Sequence, residues 1–159
     1  MQLPLEMNKL FQTSRIISGA MLLAVLVYAV IVEVMRRQFD PFQGFAAPRT
    51  AQLPDIFYGL ALMALVAIRV LRKTLLKSNP GDDGKILVRK LVVAHIVTYC
   101  LCEIPAILGL VLFLMGGHYR EFYVLLLFSL LLMVLYFPKI DHWEAWLRKS
   151  MSSGQGLRS

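Results

Sequence analysis

Hydrophobic and polar positions along this chain are segregated rather than interleaved. Long apolar runs cover residues 16–35, 56–71, 91–115 and 122–137, and short clusters between them hold most of the charge. A helix rises 1.5 Å per residue and the hydrocarbon core of a bilayer is about 30 Å thick, so runs of about 17–25 apolar residues read as membrane spans. The pattern predicts an all-α fold, a four-span transmembrane helix bundle built from two antiparallel hairpins. Residues 1–149 form one domain, leaving little chain for a soluble one.

The segments between the runs carry turn chemistry. Residues 38–54 hold Pro41, Gly44, Pro48 and Pro54, which predicts an irregular loop with Phe39, Phe42 and Phe45 near the membrane interface. This loop is longer than a plain hairpin needs, and long loops are often functional. Asp55 is placed to cap the second span. Asn79-Pro80-Gly81-Asp82 is a turn signal, and it lacks the Walker spacing of a phosphate loop. Gly116-Gly117 ends the third span, so spans three and four form a tight hairpin, and Pro138 stops the fourth. Residues 139–149 place Ile140, Trp143, Trp146 and Leu147 on one helical side, which predicts a C-terminal interfacial amphipathic helix. Trp143, Trp146 and the snorkelling Arg69 are its expected interface anchors and those of span two. The Ser/Gly-rich stretch 150–159 is expected to be a disordered tail.

Composition supports this picture. The chain is 58% hydrophobic and 17% charged, with a mean hydropathy of +0.64. Its net charge of +7 would suggest nucleic acid in a soluble protein. Here the basic residues flank the apolar runs, so lipid contact and orientation explain them and no nucleic-acid partner is expected. Of 17 Lys and Arg residues, only Arg36, Arg37, Arg49 and Arg120 fall on one side of the predicted spans. The positive-inside rule therefore places both termini and the second loop in the cytoplasm, with a bacterial plasma (inner) membrane as the expected location. The first run ends in Arg36-Arg37 rather than a small-residue cleavage site, so it is expected to stay as a span. Cys100 and Cys102, the two cysteines, point to nearly opposite faces of one helix and are not expected to pair.

Glu103 is the most informative residue. It lies about 18 Å into span three, counted from Leu91, close to the bilayer midplane. An ionised carboxylate there costs about 2.5–3.5 kcal/mol on insertion scales, so a neutral acid is expected. His95, Tyr99 and Glu103 recur every four residues and form one helical stripe. Pro105 leaves the Leu101 carbonyl without its usual donor. Cys102, Ala106 and Gly109 are small enough for close helix approach. Tyr28 and Ser129 lie near the same depth, and either is a candidate partner for Glu103. The candidate ion or polar packing site is thus Glu103, His95, Tyr99, Tyr28 and Ser129.

The segment Glu103-Ile104-Pro105-Ala106-Ile107-Leu108-Gly109-Leu110-Val111 resembles the carboxylate helix of the rotary ATPase proteolipid (subunit c) family. That resemblance implies an ion-carrying role for Glu103. It covers one helix, and residues 56–71 carry a single glycine where that family packs on a glycine-rich face.

Other chemistry is not encoded. A bis-histidine haem needs two histidines at matched depth, but only His95 lies in a span, with His118 and His142 at opposite interfaces. There is no Cys-x-x-Cys, and no metal-ligand or nucleophile–base pattern, so no enzyme activity and no cofactor is expected. The sequence favours a non-catalytic accessory or structural subunit of a membrane assembly, with lipid and either copies of itself or other membrane subunits as partners. The alternative is a small ion- or proton-translocating subunit centred on Glu103. A third reading is a lipid-binding or lipid-modifying protein, its basic second loop attracting anionic headgroups, with no nucleophile or metal site to support it.

Overall fold

A computed structural model of the protein describes residues 3–39, 42–46, 52–77 and 84–138. Among these are four α-helices and no strand: α1 (Leu3–Gln38), α2 (Leu53–Leu75), α3 (Gly84–Gly116) and α4 (Tyr119–Leu135). The expected interfacial helix with Trp143 and Trp146, the Asn79–Asp82 turn and the tail at 150–159 lie outside the described residues.

Three of the helices, α1, α2 and α3, are long and apolar enough to cross a membrane. The fourth has 17 residues. It ends at Leu135, where the Tyr136 and Phe137 N–H groups close the last turns on Leu132 and Val134. Pro138 follows, and a residue before proline avoids helical backbone angles, so the helix stops short of the expected residue 137.

The other helices overrun their apolar runs. α1 starts at Leu3 rather than 16, and α3 at Gly84 rather than 91. Hydropathy marks the stretch that suits lipid, not the end of the hydrogen-bonded ladder. The overhanging turns have their own apolar contact, in which Phe11 packs with Leu87, Val88 and Leu91, and with Leu76 after α2. Asp55 does not cap α2. The N-cap is Gln52, which makes no side-chain cap bond, and Asp55 lies in the first turn behind Pro54. There its charge complements the positive end of the helix dipole.

Residue pairings define the directions. Ser18 meets His95 and Tyr28 meets Glu103, so α1 and α3 run parallel. Tyr99 meets Met133, and Ser129 meets Cys102, so α3 and α4 are antiparallel. Arg72 lies over the Tyr136 ring, which brings the C-terminal ends of α2 and α4 together. The result is an up-down-up-down bundle with α3 against all three other helices. In the most apolar stretch of α1 and of α2 only 17% is buried, against 44% in α3, so α3 is the central helix.

The α3–α4 hairpin is tight because Gly109 lets the helices approach. A Cβ there would stand 3.1 Å from the Leu125 Cβ and 3.2 Å from the Phe122 carbonyl oxygen. Cys102 and Ala106 are fully buried on the same helix, while Cys100 is exposed, as their spacing requires.

The first loop is fastened to the same hairpin. The Phe45 and Ala46 N–H groups donate to the carbonyls of Leu114 and Met115 at 2.8 and 3.0 Å, satisfying acceptors at the end of α3. Phe42 packs on Phe113 with ring centroids 4.8 Å apart, while Phe39 and Phe45 stay exposed. Gly44 (φ 85°) and Gly117 (φ 68°) adopt left-handed angles where these backbones touch. A Cβ on Gly44 would collide with the Met115 carbonyl, and one on Gly117 with that of Phe42.

Large apolar side chains, among them Ile16, Leu23, Met63, Val66, Leu127 and Val134, are exposed around the bundle. A soluble monomer rarely shows so continuous an apolar surface. The fold is compatible with an integral membrane protein.

Candidate functional site

The stripe of His95, Tyr99 and Glu103 faces the interior of the bundle, but its members turn to different neighbours. Glu103 Oε1 accepts a hydrogen bond from the Tyr28 hydroxyl at 2.6 Å, linking α3 to α1. Tyr99 is fully buried, and its hydroxyl donates to the Met133 carbonyl of α4 at 2.8 Å. His95 Nε2 lies 2.9 Å from the Ser18 Oγ of α1. The Ser18 hydroxyl also lies 2.8 Å from the Ser14 carbonyl; when it donates there, His95 Nε2–H is the donor in the His95–Ser18 pair, and in the other tautomer His95 Nε2 accepts. The His95 and Tyr99 rings lie 4.8 Å apart, tilted by 45°. The stripe therefore makes bonds outward to α1 and α4, and no hydrogen bond runs along it from Tyr99 to Glu103.

Of the two partners expected for Glu103, Tyr28 takes the role and Ser129 does not. Ser129 is buried, and its hydroxyl donates to the Cys102 carbonyl at 2.6 Å. That carbonyl lies one residue beyond the one freed by Pro105, in the turn the proline disturbs. The expected polar group thus divides in two. Tyr28 and Glu103 form one pair on the α1 side, and Tyr99 and Ser129 hold the backbones of α3 and α4 together.

Two serines went unnoticed in the sequence. Ser14 and Ser18 are both fully buried and line up with Val25 and Val32 on the α1 face that meets α3. The Ser14 hydroxyl has no hydrogen-bond partner among the described residues. The available signal was their position on the same spacing as the buried valines.

A second polar cluster sits at the other end of the bundle. Glu33 bonds Arg37 at 2.9 Å, lies 3.8 Å from Arg36, and accepts from the Tyr123 hydroxyl at 3.3 Å. Arg36 in turn lies over the Tyr119 ring at 5.2 Å. Glu33 and its two arginines thus form a grouping at the end of α1 that α4 extends. Arg69 is exposed near the end of α2.

No group of three or more His, Cys, Asp or Glu side chains converges as a metal site among the described residues. Comparison with protein-family models, with curated proteins and with solved structures returns no match for the chain.

Proposed function

We propose that the protein is a non-catalytic subunit of a membrane assembly, crossing a bacterial plasma membrane four times with both termini in the cytoplasm. The observation that supports this reading most is the engagement of the interior polar groups. Tyr28, Glu103, Tyr99, Ser129, His95 and Ser18 all form bonds that join helices, as bundle-holding groups do. Measured bonds of this kind average about 0.6 kcal/mol in membranes, so several acting together bias how the helices pack. The exposed apolar faces of α1 and α2 leave room for lipid and for helices of other subunits. The sidedness rests on charge, because Lys9, Arg15, Arg69, Arg72, Lys73, Lys77, Arg89 and Lys90 all lie at one end of the bundle.

The competing reading makes Glu103 a proton or cation carrier. Its support is the half-buried position of that carboxyl near the middle of the apolar stretch of α3. Native mass spectrometry of the untagged protein, gently extracted from its own membrane, tests the first reading. A complex with defined partners is the expected result. A homo-oligomeric ring, together with a pH-dependent proteoliposome flux lost in Glu103→Gln, would replace it with the second.

A further inference from the structure

The C-terminal end of α2 carries Arg69, Arg72 and Lys73, spaced so that all three share one face of the helix. Together with Val70, Leu76 and Tyr136 they line an open groove of about 530 Å³ between the ends of α2 and α4. That volume lies within the range of about 300–1,000 Å³ usual for small-ligand sites. The groove is basic, and no carboxylate among the described residues pairs with any of the three cations. Arg72 is held in place, with its guanidinium 5.1 Å from the centroid of the Tyr136 ring. A planar guanidinium fixed in this way presents its N–H fork for bidentate contact with a phosphate.

Behind Arg72 the helices leave a smaller cavity of about 20 Å³, bordered by His95 and Thr98 and large enough for one water. In the other direction the groove opens onto apolar surface. Val70, Val66, Met63 and Leu62 are exposed along α2, running from the groove toward the middle of the helix. The arrangement places a fixed cationic cradle at the end of a helix and an unbroken apolar track leading away from it.

We propose that this groove binds one anionic phospholipid, its phosphate held by Arg69, Arg72 and Lys73 and its acyl chains lying along the Val70–Val66–Met63 track. A soluble phosphate compound would use the cradle and leave the track uncovered. A lipid uses both, and basic pockets between membrane helices are suited to anionic headgroups.

The full-length protein is reconstituted into nanodiscs of phosphatidylcholine containing a minor share of phosphatidylglycerol. Retained lipid is then read by native mass spectrometry after transfer to mild detergent. One phosphatidylglycerol is expected to persist in preference to phosphatidylcholine. The triple variant Arg69→Gln/Arg72→Gln/Lys73→Gln is expected to weaken that retention about a hundredfold, and Lys73→Gln alone about fivefold. Arg36→Gln/Arg37→Gln, which removes charge at the opposite end, is expected to leave it intact. Equal retention of phosphatidylcholine, or no loss in the triple variant, overturns the proposal. Displacement of the lipid by millimolar glycerol 1-phosphate overturns the lipid assignment in favour of a soluble phosphate. If the triple variant loses its helical circular dichroism, Lys73→Gln decides the matter, because its side chain is exposed and forms no ion pair among the described residues. Unchanged retention in that variant overturns the proposal.

Discussion

The Tyr28 hydroxyl donates to Glu103 Oε1 at 2.6 Å, across the parallel interface of α1 and α3. This bond gives the acidic side chain a partner within the apolar part of the bundle. It also couples the rotation of α1 about its axis to that of α3, since a turn of either helix would separate the two groups.

The coupling is measurable. Tyr28→Phe is expected to lower stability by about 0.6–1.7 kcal/mol, between the average and the largest of the measured interhelical bonds in membranes. Glu103→Gln keeps an oxygen acceptor for Tyr28 and is expected to cost less than Glu103→Leu, which removes it. A double-mutant cycle of Tyr28→Phe with Glu103→Leu, read by reversible unfolding in mixed micelles, is expected to be non-additive. Simple additivity would mean that the bond contributes nothing to holding α1 on α3.

Depth was legible in the sequence, and rotation was not. Glu103 announced itself because an acid inside an apolar run is anomalous whatever its partner. Tyr28 and Ser129 were equally plausible by depth, and only the helix rotations in the folded bundle turn Tyr28 toward the carboxyl and Ser129 toward the Cys102 carbonyl. The spacing of Ser18 marked its face but not its contact with His95, because a membrane serine often satisfies itself on the carbonyl four residues back, as this one does, and the His95 contact comes in addition. The antiparallel pairing of α3 and α4 was legible, because Gly116-Gly117 leaves no length for anything else. The overhang of α1 and α3 was not, because it depends on Phe11 finding Leu87 and Leu91 across a long sequence separation.

The loop clamp at the end of α3 makes a separate prediction. Gly44→Ala and Gly117→Ala each force a side chain into left-handed backbone against a neighbouring carbonyl. Each is expected to destabilise the bundle by about 1–3 kcal/mol. Gly59 is the control, since a Cβ there meets nothing within 4 Å. Gly59→Ala is expected to be neutral or slightly stabilising, because alanine is the better helix former by about 1 kcal/mol. The readout is the midpoint of thermal unfolding in detergent. Equal midpoints for all three variants would show that the loop is not held by these backbone contacts.

Gly109→Ala probes the hairpin itself. Its added methyl would press on the Leu125 side chain and on the Phe122 backbone, and backbone yields less readily than a flexible side-chain end. The variant is expected to lose about 1–3 kcal/mol, the usual cost of overpacking. A small-to-small control at an exposed site, Ala20→Gly, is expected to cost no more than about 1 kcal/mol, from helix propensity alone. A stable Gly109→Ala would mean that α3 and α4 can separate slightly without penalty.

The course of α4 is the remaining test of the membrane architecture. With 17 residues the helix covers about 26 Å, close to the shortest length that spans a bilayer. From Phe122 to Leu135 its one hydroxyl besides Tyr123 is that of buried Ser129, and Leu127, Leu131, Val134 and Leu135 are exposed on its outer side. Those side chains would sit in water if α4 lay outside the bilayer. Its antiparallel pairing with α3 along the Tyr99–Met133 and Cys102–Ser129 contacts lays it beside the apolar stretch of α3. An even number of crossings puts the two ends of the chain on one side, and an odd number puts them on opposite sides. Reporter tags at the N-terminus, in the second loop near Lys77 and at the C-terminus are therefore expected to be accessible from the same face of intact inverted vesicles. A cysteine introduced at exposed Gln43 in the first loop is expected to react from the other face. A C-terminal tag that reports the face of Gln43 would mean that α4 does not cross, and the bundle would then be a three-span protein with α4 folded against its own hairpin partner.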